Sequence, residues 1–159
     1  MSARLREAAL RRLPMTLSRL DEVLAIEQAA YEFPWTRGNF IDSLAARYLA
    51  EVLVSDSGVV GYFVAMSGLD EMHLLNLTVA PAWQGRGHGR ALLDALVAHC
   101  RARHDRTLWL EVRESNLRAR AIYSRYGFGE VGLRRGYYPA PHGQREHAVV
   151  MSLEVPHVD

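Results

Sequence analysis

The sequence predicts a mixed α/β fold, in which a central sheet of about six or seven strands is flanked by helices on both faces. Two strand-like segments joined by Asp56-Ser57-Gly58 predict an antiparallel hairpin. A strand, a helix and a second strand between Met72 and Val112 predict a parallel pair with a right-handed crossover. The chain has 159 residues, 49% of them apolar and 23% charged, which is typical of a single globular domain.

The first half of the chain is predicted to begin with a strand and two helices. Ser18 is a candidate N-cap for a helix that ends near Tyr31, and Thr36 can cap a second, shorter helix. Three strands are expected next, at Tyr48–Ser55, Val59–Ser67 and Met72–Val79. Residues 1–12 are predicted to be a flexible extension of a single domain that spans residues 1–159.

The second half is predicted to contain two helices and three strands. Apolar residues recur at helical spacing from Ala91 to Val97. A buried strand is expected at Thr107–Val112, and Asn116 can cap the helix after it, which Gly127 can end. The closing strands are expected at about Phe128–Arg134 and His147–Leu153, flanking a loop over Gly136–Glu146.

Composition and charge exclude several classes of function. With 19 basic and 18 acidic residues the formal charge is +1, and no sustained basic run occurs, so no nucleic-acid partner is expected. The lone Cys100 and the absence of a long apolar stretch favour a cytoplasmic protein without a membrane partner. The seven histidines show no metal-ligand spacing, so no metal is expected. Every basic residue is arginine, which excludes a lysine Schiff base and a Walker-type phosphate loop.

A glycine-rich turn follows the strand that is predicted to end at Val79, and it opens the next helix. Its glycines allow backbone N–H groups to converge, and the start of a helix adds unpaired donors and partial positive charge. These features favour an anion such as a pyrophosphate. The residues expected to bind it are Gln84, Gly85, Arg86, Gly87, His88, Gly89 and Arg90. The His88 side chain is expected to face solvent. The alternative is a helix entrance that binds nothing.

The spacing Gln84-x-x-Gly87-x-Gly89 after a strand resembles the acetyl-CoA signature of the GNAT superfamily of N-acetyltransferases, whose order of elements matches the predicted one. The segments EFPWT, LWLEVRESN, AIYSRYGF and RRGYYP resemble the bacterial RimI group of ribosomal-protein alanine N-acetyltransferases. The likeness runs from about Ser18 to Val155. It implies an enzyme that transfers an acetyl group from acetyl-CoA to the N-terminal alanine of protein eighteen of the small ribosomal subunit.

The resemblance also implies two catalytic side chains. In LWLEV, strand alternation places Trp109 and Glu111 on one face, where a buried carboxylate must be solvated or paired. The resemblance makes Glu111 the general base; the alternative is a structural carboxylate paired with Arg113 or another arginine. It makes Tyr123 the proton donor to the departing thiolate, and the alternative there is a tyrosine packed in the core.

Further contacts to acetyl-CoA are implied away from the turn. The backbone of Leu77, Thr78 and Val79 is expected to pair with the pantetheine arm, because these residues end the strand before the turn. The resemblance adds a hydrogen bond from Asn116 to the cofactor, besides the role of Asn116 as a helix cap.

Two segments combine aromatic rings with a rigid proline. Phe33 and Trp35 flank one proline, and Tyr137 and Tyr138 precede another. These rings are expected to wall a groove for a peptide end, and ordinary loop anchoring is the alternative. Two other functions stay open: an acetyltransferase for a small amine or for protein lysine, and a CoA-binding module without catalysis. The sequence gives no indication of the oligomeric state.

Overall fold

The computed structural model describes residues 10–157, which form a mixed α/β fold. Within these residues seven strands form one sheet in the order β1-β2-β3-β4-β5-β7-β6, accompanied by four α-helices. The strands are β1 Arg11–Pro14, β2 Leu49–Ser55, β3 Gly58–Ser67, β4 Glu71–Val79, β5 Thr107–Arg113, β6 Gly129–Pro139 and β7 Arg145–Glu154. The helices are α1 Leu20–Ala30, α2 Arg37–Ala45, α3 His88–Arg103 and α4 Leu117–Tyr126. The predicted fold class is confirmed.

The sheet combines both strand orientations. β4 and β5 are parallel, with Glu71–Leu74 beside Thr107–Leu110. The pairs β1–β2, β2–β3, β5–β7 and β6–β7 are antiparallel. Strands in a parallel pair need a long connection, and α3 provides it between β4 and β5, whereas the hairpin between β2 and β3 needs only a short turn.

The chain forms two compact units. The first comprises the described residues up to Met66 together with Asn76–Ala95. Its core contains Phe40 and Tyr62, both of which are wholly buried. The Phe40 ring lies against Trp35 and Tyr62 at centroid distances of 5.1 and 5.8 Å. Aromatic contacts therefore hold α2, and the segment that precedes it, against β3.

The second unit comprises Ser67–Leu75 and the described residues from Leu96 onward. Along β5 the side chains alternate, with Leu108, Leu110 and Val112 in the core and the residues between them less buried. This is the alternation that the sequence predicted, and it places Trp109 and Glu111 together on the other face of the strand. β6 lies at the edge of the sheet, and most of its residues are exposed.

The helix caps were predicted correctly in three of four cases. The Thr36 side chain accepts a hydrogen bond from the Asn39 amide, and that of Asn116 accepts one from the Ala119 amide. Gly127 ends α4 with φ at +127°, a conformation that glycine adopts at little cost. Ser18 was predicted wrongly, because a 3-10 turn over Leu17–Arg19 precedes α1 and the Ser18 hydroxyl bonds Thr16 instead.

Two predicted boundaries also differ from the structure. Of the predicted extension, residues 1–9 lie outside the described residues, but Arg11 and Arg12 belong to β1, where backbone pairing with β2 holds them. The predicted loop over Gly136–Glu146 is largely strand, because β6 continues to Pro139 and β7 begins at Arg145. The turn between them is only five residues long. No helix within residues 10–157 is long and apolar enough to cross a membrane.

Candidate active site

The glycine-rich turn leaves its backbone open. Gly85 and Gly87 have φ values of +78° and +85°, and a Cβ added at either one would meet nothing within 4 Å. The first helical hydrogen bond of α3 runs from the Ala91 amide to the Gly87 carbonyl, so the amides of residues 88–90 precede it and have no partner within the helix. Open space beside such donors fits the pyrophosphate of acetyl-CoA.

Side chains around the turn brace it and add charge. The Gln84 side-chain amide donates to the Val79 carbonyl at 3.0 Å and ties the turn to the end of β4. The Arg86 guanidinium lies 5.3 Å from the centre of the Trp83 ring. His88 was expected to face solvent, and this prediction was wrong. Its side chain is buried beside the Trp83 ring, and its Nε2 has no hydrogen-bond partner in the described part of the chain.

The end of β4 is partly engaged by its own unit. The Leu77 carbonyl accepts a bond of 3.3 Å from the Tyr31 hydroxyl, and the Val79 carbonyl accepts the Gln84 bond. Thr78 is buried, and its hydroxyl donates to Asn76 Oδ1 at 2.8 Å. Each of these two carbonyls keeps a second lone pair for pairing with a pantetheine arm. That pairing stays a prediction.

Glu27, on α1, is a buried carboxylate. Glu27 is 2% exposed. Its Oε1 accepts from the Tyr62 hydroxyl at 2.5 Å and from the Asn76 side-chain amide at 3.0 Å, and its Oε2 accepts from the Trp35 amide at 2.9 Å. Burial raises the pKa of Tyr62, and the charge of Glu27 raises it further. The phenol therefore stays a donor.

These bonds connect Glu27 to two predicted site segments. Through Trp35 the carboxylate holds the backbone of the segment that carries Phe33, and through Asn76 it holds the end of β4. The chain of bonds continues from Asn76 through Thr78 to the Tyr31 hydroxyl, which lies 2.7 Å from the Thr78 hydroxyl. Burial raises the pKa of Tyr31 to about 12. A glutamate at helical spacing from Leu20, Val23 and Leu24 is the signal in the sequence, but two of its three donors come from distant strands.

Glu111, on β5, has a separate set of neighbours from those of Glu27. Its side chain is 6% exposed. Oε2 is 2.6 Å from His73 Nε2, and because an ionised carboxylate only accepts, Nε2 carries the proton of this bond. Oε1 is buried and accepts no hydrogen bond from the described residues, although Arg134 Nη1 lies 3.5 Å away. The carboxylate therefore has one oxygen held and one oxygen with unused acceptor capacity.

The alternative for Glu111 was a carboxylate paired with Arg113 or another arginine, and the structure has another arginine beside it, Arg134. Arg113 does not pair with it: the Arg113 guanidinium donates to Glu146 at 3.0 Å and to the Pro139 carbonyl at 2.7 Å. Arg113 shares a face of β5 with Glu111, but its pairing partner on β7 is Ala148, two residues from Glu146, and this register places Arg113 beside Glu146. Bonds from Ser115 and Arg113 lower the pKa of Glu146. Arg134, from the edge strand β6, takes the place beside Glu111 instead.

Tyr123 and Asn116 lie on α4 and at its start. The Tyr123 ring packs on Phe128 at a centroid distance of 5.5 Å, and Tyr126 packs on the same ring at 6.1 Å. Asn116 Oδ1 is engaged by the Ala119 amide at 3.1 Å, so a bond to a cofactor would come from Nδ2. The packing that was the alternative for Tyr123 is present, and its role as proton donor stays a prediction.

The four residues predicted to bind the acceptor peptide have different surroundings. Phe33 is 38% exposed, whereas Trp35 packs on Phe40. Tyr137 is 40% exposed, and Tyr138 lies under the Arg113 guanidinium, 4.5 Å from it. Both tyrosines belong to β6 and not to a loop. Each pair therefore has one residue with exposed surface, Phe33 or Tyr137. The other member, Trp35 or Tyr138, is held by contacts with its neighbours.

Cys100 is poorly placed to carry an acetyl group. Cys100 is buried, and burial raises the pKa of its thiol to about 11, which disfavours the thiolate that a covalent acetyl carrier needs. Within residues 10–157 no three histidine, cysteine or acidic side chains are grouped so that they could hold a metal ion.

Comparison with known proteins decides the family. The sequence profile of the Acetyltransferase (GNAT) family matches residues 20–128. The chain belongs to the GNAT acetyltransferase family. Two of its relatives carry the name of one N-acetyltransferase. A Haemophilus ducreyi protein named [ribosomal protein bS18]-alanine N-acetyltransferase is 40% identical over 133 residues, which cover 84% of this chain and 92% of the relative. The Escherichia coli protein of that name is 42% identical over 130 residues, covering 82% and 87%.

Solved GNAT structures agree with the comparison of sequences. The crystal structure of the ribosomal-protein-S18-alanine N-acetyltransferase from Escherichia coli superposes with a TM-score of 0.85 at 37% identity, and covers 94% of this chain and 96% of that one. Ard1 from Thermoplasma volcanium has a TM-score of 0.82 at 24% identity, a likeness of fold alone. The predicted resemblance to the RimI group is confirmed, and the chain is an acetyl-CoA-dependent N-acetyltransferase.

Proposed function

We propose that this GNAT enzyme acetylates the N-terminal alanine of ribosomal protein bS18, acting in the cytoplasm by direct transfer with Glu111 as general base and Tyr123 as general acid. The likeness to relatives named for that reaction, at 40% identity over 92% of one relative's length, supports the acceptor. The observation that carries the mechanism is Glu111 Oε1, a buried carboxylate oxygen that accepts no hydrogen bond from the described residues.

The proposed donor site is the turn from Gln84 to Arg90. Its open backbone and the start of α3 suit a pyrophosphate, and Arg86 and Arg90 add positive charge. Asn116 and the N–H groups of Leu77–Val79 are proposed to bind the rest of the donor. When bound, acetyl-CoA supplies an acetyl thioester, whose carbonyl carbon the acceptor amine attacks. Backbone N–H groups at the end of β4 would stabilise the negative charge that develops on the carbonyl oxygen.

The free-energy cost of removing a proton from the acceptor is small, because the acceptor is an α-amine. An α-amino group has a pKa of about 8, so roughly one in ten is neutral at pH 7, against roughly one in a few thousand lysine side chains. Glu111 takes the proton from the amine through a water. Tyr123 gives its phenolic proton to the departing sulfur. Positioning of the amine against the thioester can supply roughly 7–11 kcal/mol, which exceeds the contribution of the base.

The aromatic residues are proposed to hold the acceptor peptide. Phe33 and Tyr137 carry exposed ring surface, and the Trp35 and Tyr138 rings are fixed by Phe40 and Arg113. Rigid aromatic rings lose little conformational entropy on binding and offer large apolar area to a peptide end. The Trp35 backbone is additionally fixed by Glu27.

A panel of acceptors tests the proposed function. The protein is incubated with acetyl-CoA and one of four acceptors: a peptide with the first ten residues of bS18, the same peptide with a blocked N-terminus, a blocked peptide with an internal lysine, and spermidine. Mass spectrometry follows the added acetyl group. Because the chain contains no lysine, acetylation of the enzyme's own side chains gives little background. We expect transfer to the unblocked bS18 peptide at least 100-fold faster than to the other three.

Each competing function has its own outcome in that panel. Faster transfer to the lysine peptide or to spermidine would indicate an enzyme for side-chain or small amines. Binding of acetyl-CoA without transfer to any acceptor would indicate a CoA-binding module. Gly87→Val tests the donor site separately, since a β-branched residue at φ +85° is strained and fills the open space. We expect loss of acetyl-CoA binding from a protein that still folds, with a melting temperature somewhat lowered by the strain, and retained affinity would contradict the proposed site.

A further inference from the structure

We propose that His73 is a positioning residue for Glu111: it holds Oε2, so that Oε1 is presented to take the proton of the acceptor amine. This inference rests on the proposed role of Glu111 as the general base. Sequence analysis did not single out His73, and its place beside Glu111 follows from the register of two strands.

Strand register brings His73 to Glu111. His73 on β4 is the pairing partner of Trp109 in the parallel ladder to β5. Glu111 lies two residues beyond Trp109, and residues two apart along a strand share a face. The His73 and Trp109 rings stack with their centroids 3.6 Å apart and their planes at 8°. The stacked Trp109 ring therefore sets the plane of the imidazole, and with it the direction in which Nε2 donates.

The bond from His73 is short and sheltered from water. Nε2 lies 2.6 Å from Glu111 Oε2, and the two side chains are 11% and 6% exposed. A hydrogen bond to a charged acceptor is stronger away from water, and it restricts the carboxylate to one orientation. Oε1 is then the one oxygen of Glu111 that accepts no hydrogen bond from the described residues. A base that is held in one orientation loses less free energy when the amine arrives.

Other charged and titratable groups also face this pair. Arg134 of β6 lies 3.5 Å from Oε1 and 5.9 Å from the centre of the Trp109 ring. The neighbouring tyrosines of β6, Tyr137 and Tyr138, have pKa values raised by burial first and by the charge of Glu111 second. Arg134, Tyr137 and Tyr138 are unchanged in the variants below, so a difference in pH profile between those variants reports on position 73.

The structural alternative is that His73 only packs against Trp109. Two substitutions separate the two roles. His73→Phe keeps a flat ring for the stack and removes the donor. His73→Gln removes the ring and places an amide N–H near the position of Nε2. If the hydrogen bond matters, glutamine restores the rate; if stacking alone matters, phenylalanine does.

The experiment measures kcat, the KM for the bS18 peptide and the affinity for acetyl-CoA from pH 5.5 to 9. For His73→Phe we expect kcat to fall about 10-fold, with acetyl-CoA affinity unchanged, since an imprecisely placed base loses part of its effect of 10²–10⁴-fold. His73→Gln should recover kcat to within about 3-fold of the original protein, because its side-chain amide again donates to Oε2. His104→Asn, at an exposed histidine after α3, is the matched control and should change nothing.

A double variant makes the result specific. In Glu111→Gln protein, a further His73→Phe change should not lower the rate again, because His73 acts through Glu111. Full activity and an unchanged pH profile for His73→Phe would overturn the inference, as would equal losses for phenylalanine and glutamine. Should His73→Phe fold poorly, His73→Met, which also lacks a donor, takes its place in the comparison with His73→Gln. Full activity of Glu111→Gln would instead contradict the proposed base, whatever happens at His73.

Discussion

Glu27 and Glu111 both have buried side chains, and the surroundings of the two carboxylates differ in kind. Glu27, in the first unit, receives three hydrogen bonds from uncharged donors that occupy both of its oxygens. Glu111, in the second unit, is held at one oxygen by His73 and lies near the cationic Arg134, while its other oxygen accepts no bond from the described residues. Burial alone is therefore a poor guide to which carboxylate performs chemistry.

The difference lies in what each carboxylate can still accept. A fully satisfied buried carboxylate stabilises the fold, because removing it strands several donors without water. A buried carboxylate with an oxygen that accepts no hydrogen bond can receive a proton. Replacing that carboxylate leaves fewer donors without a partner, so it destabilises the fold less. We therefore expect changes at Glu27 to appear in thermal stability and changes at Glu111 to appear in the rate.

The largest expected effect is on the rate of Glu111→Gln. The amide keeps the size of the side chain and can still accept from His73, but it cannot take a proton from the amine. We expect kcat at pH 7 to fall by roughly 10²-fold or more, with the melting temperature within about 3 °C of the original. Initial rates with the bS18 peptide and a thermal melt measure both quantities. A variant that melts much earlier but turns over normally would reverse the assignment of the two glutamates.

Glu27→Leu should have the largest effect on stability. It leaves the Tyr62 hydroxyl, the Asn76 amide and the Trp35 N–H without their acceptor, each of which costs about 1–3 kcal/mol. A loss of at least about 3 kcal/mol corresponds to a fall in melting temperature of about 6–12 °C for a chain of this size. Differential scanning calorimetry measures it. No change in melting temperature would mean that the donors find water or other partners.

Tyr62→Phe removes one donor and should have the smallest effect of the three. Glu27 keeps its other two bonds, so we expect a loss of about 1.5 kcal/mol, or about 3–6 °C in melting temperature. The rate at a temperature well below the melt should change less than 2-fold. If Tyr62→Phe destabilises the protein as much as Glu27→Leu, the hydroxyl and not the carboxylate network carries the stability.

Features that depend on local order were predictable from the sequence. Alternation in LWLEV placed Glu111 on the face opposite the core side chains, and the caps at Thr36 and Asn116 follow from residue type next to an apolar periodicity. The glycine-rich turn was predicted from composition and spacing. The roles of Glu111 and Tyr123 in catalysis remain predictions.

Features that depend on which strands are neighbours were not predictable. His73 meets Glu111 only because β4 lies beside β5 in one particular register. The donors to Glu27 arrive from β3 and β4, far along the chain. Tyr137 and Tyr138 were assigned to a loop, but they belong to the edge strand β6, which extends to Pro139 because an edge strand tolerates a residue without an N–H.

The alternation of side chains between the two faces of β4 has an evolutionary consequence. His73 is an odd-numbered residue of this strand, whereas Asn76 and Thr78 are even, so the contacts of the two glutamates use opposite faces of one extended segment. Deleting a single residue between His73 and Asn76 would exchange those faces and sever one set of contacts, while deleting two would preserve the alternation. Surviving length variants of such enzymes should therefore differ here by even steps, and drift should enter this strand through substitution far more often than through insertion.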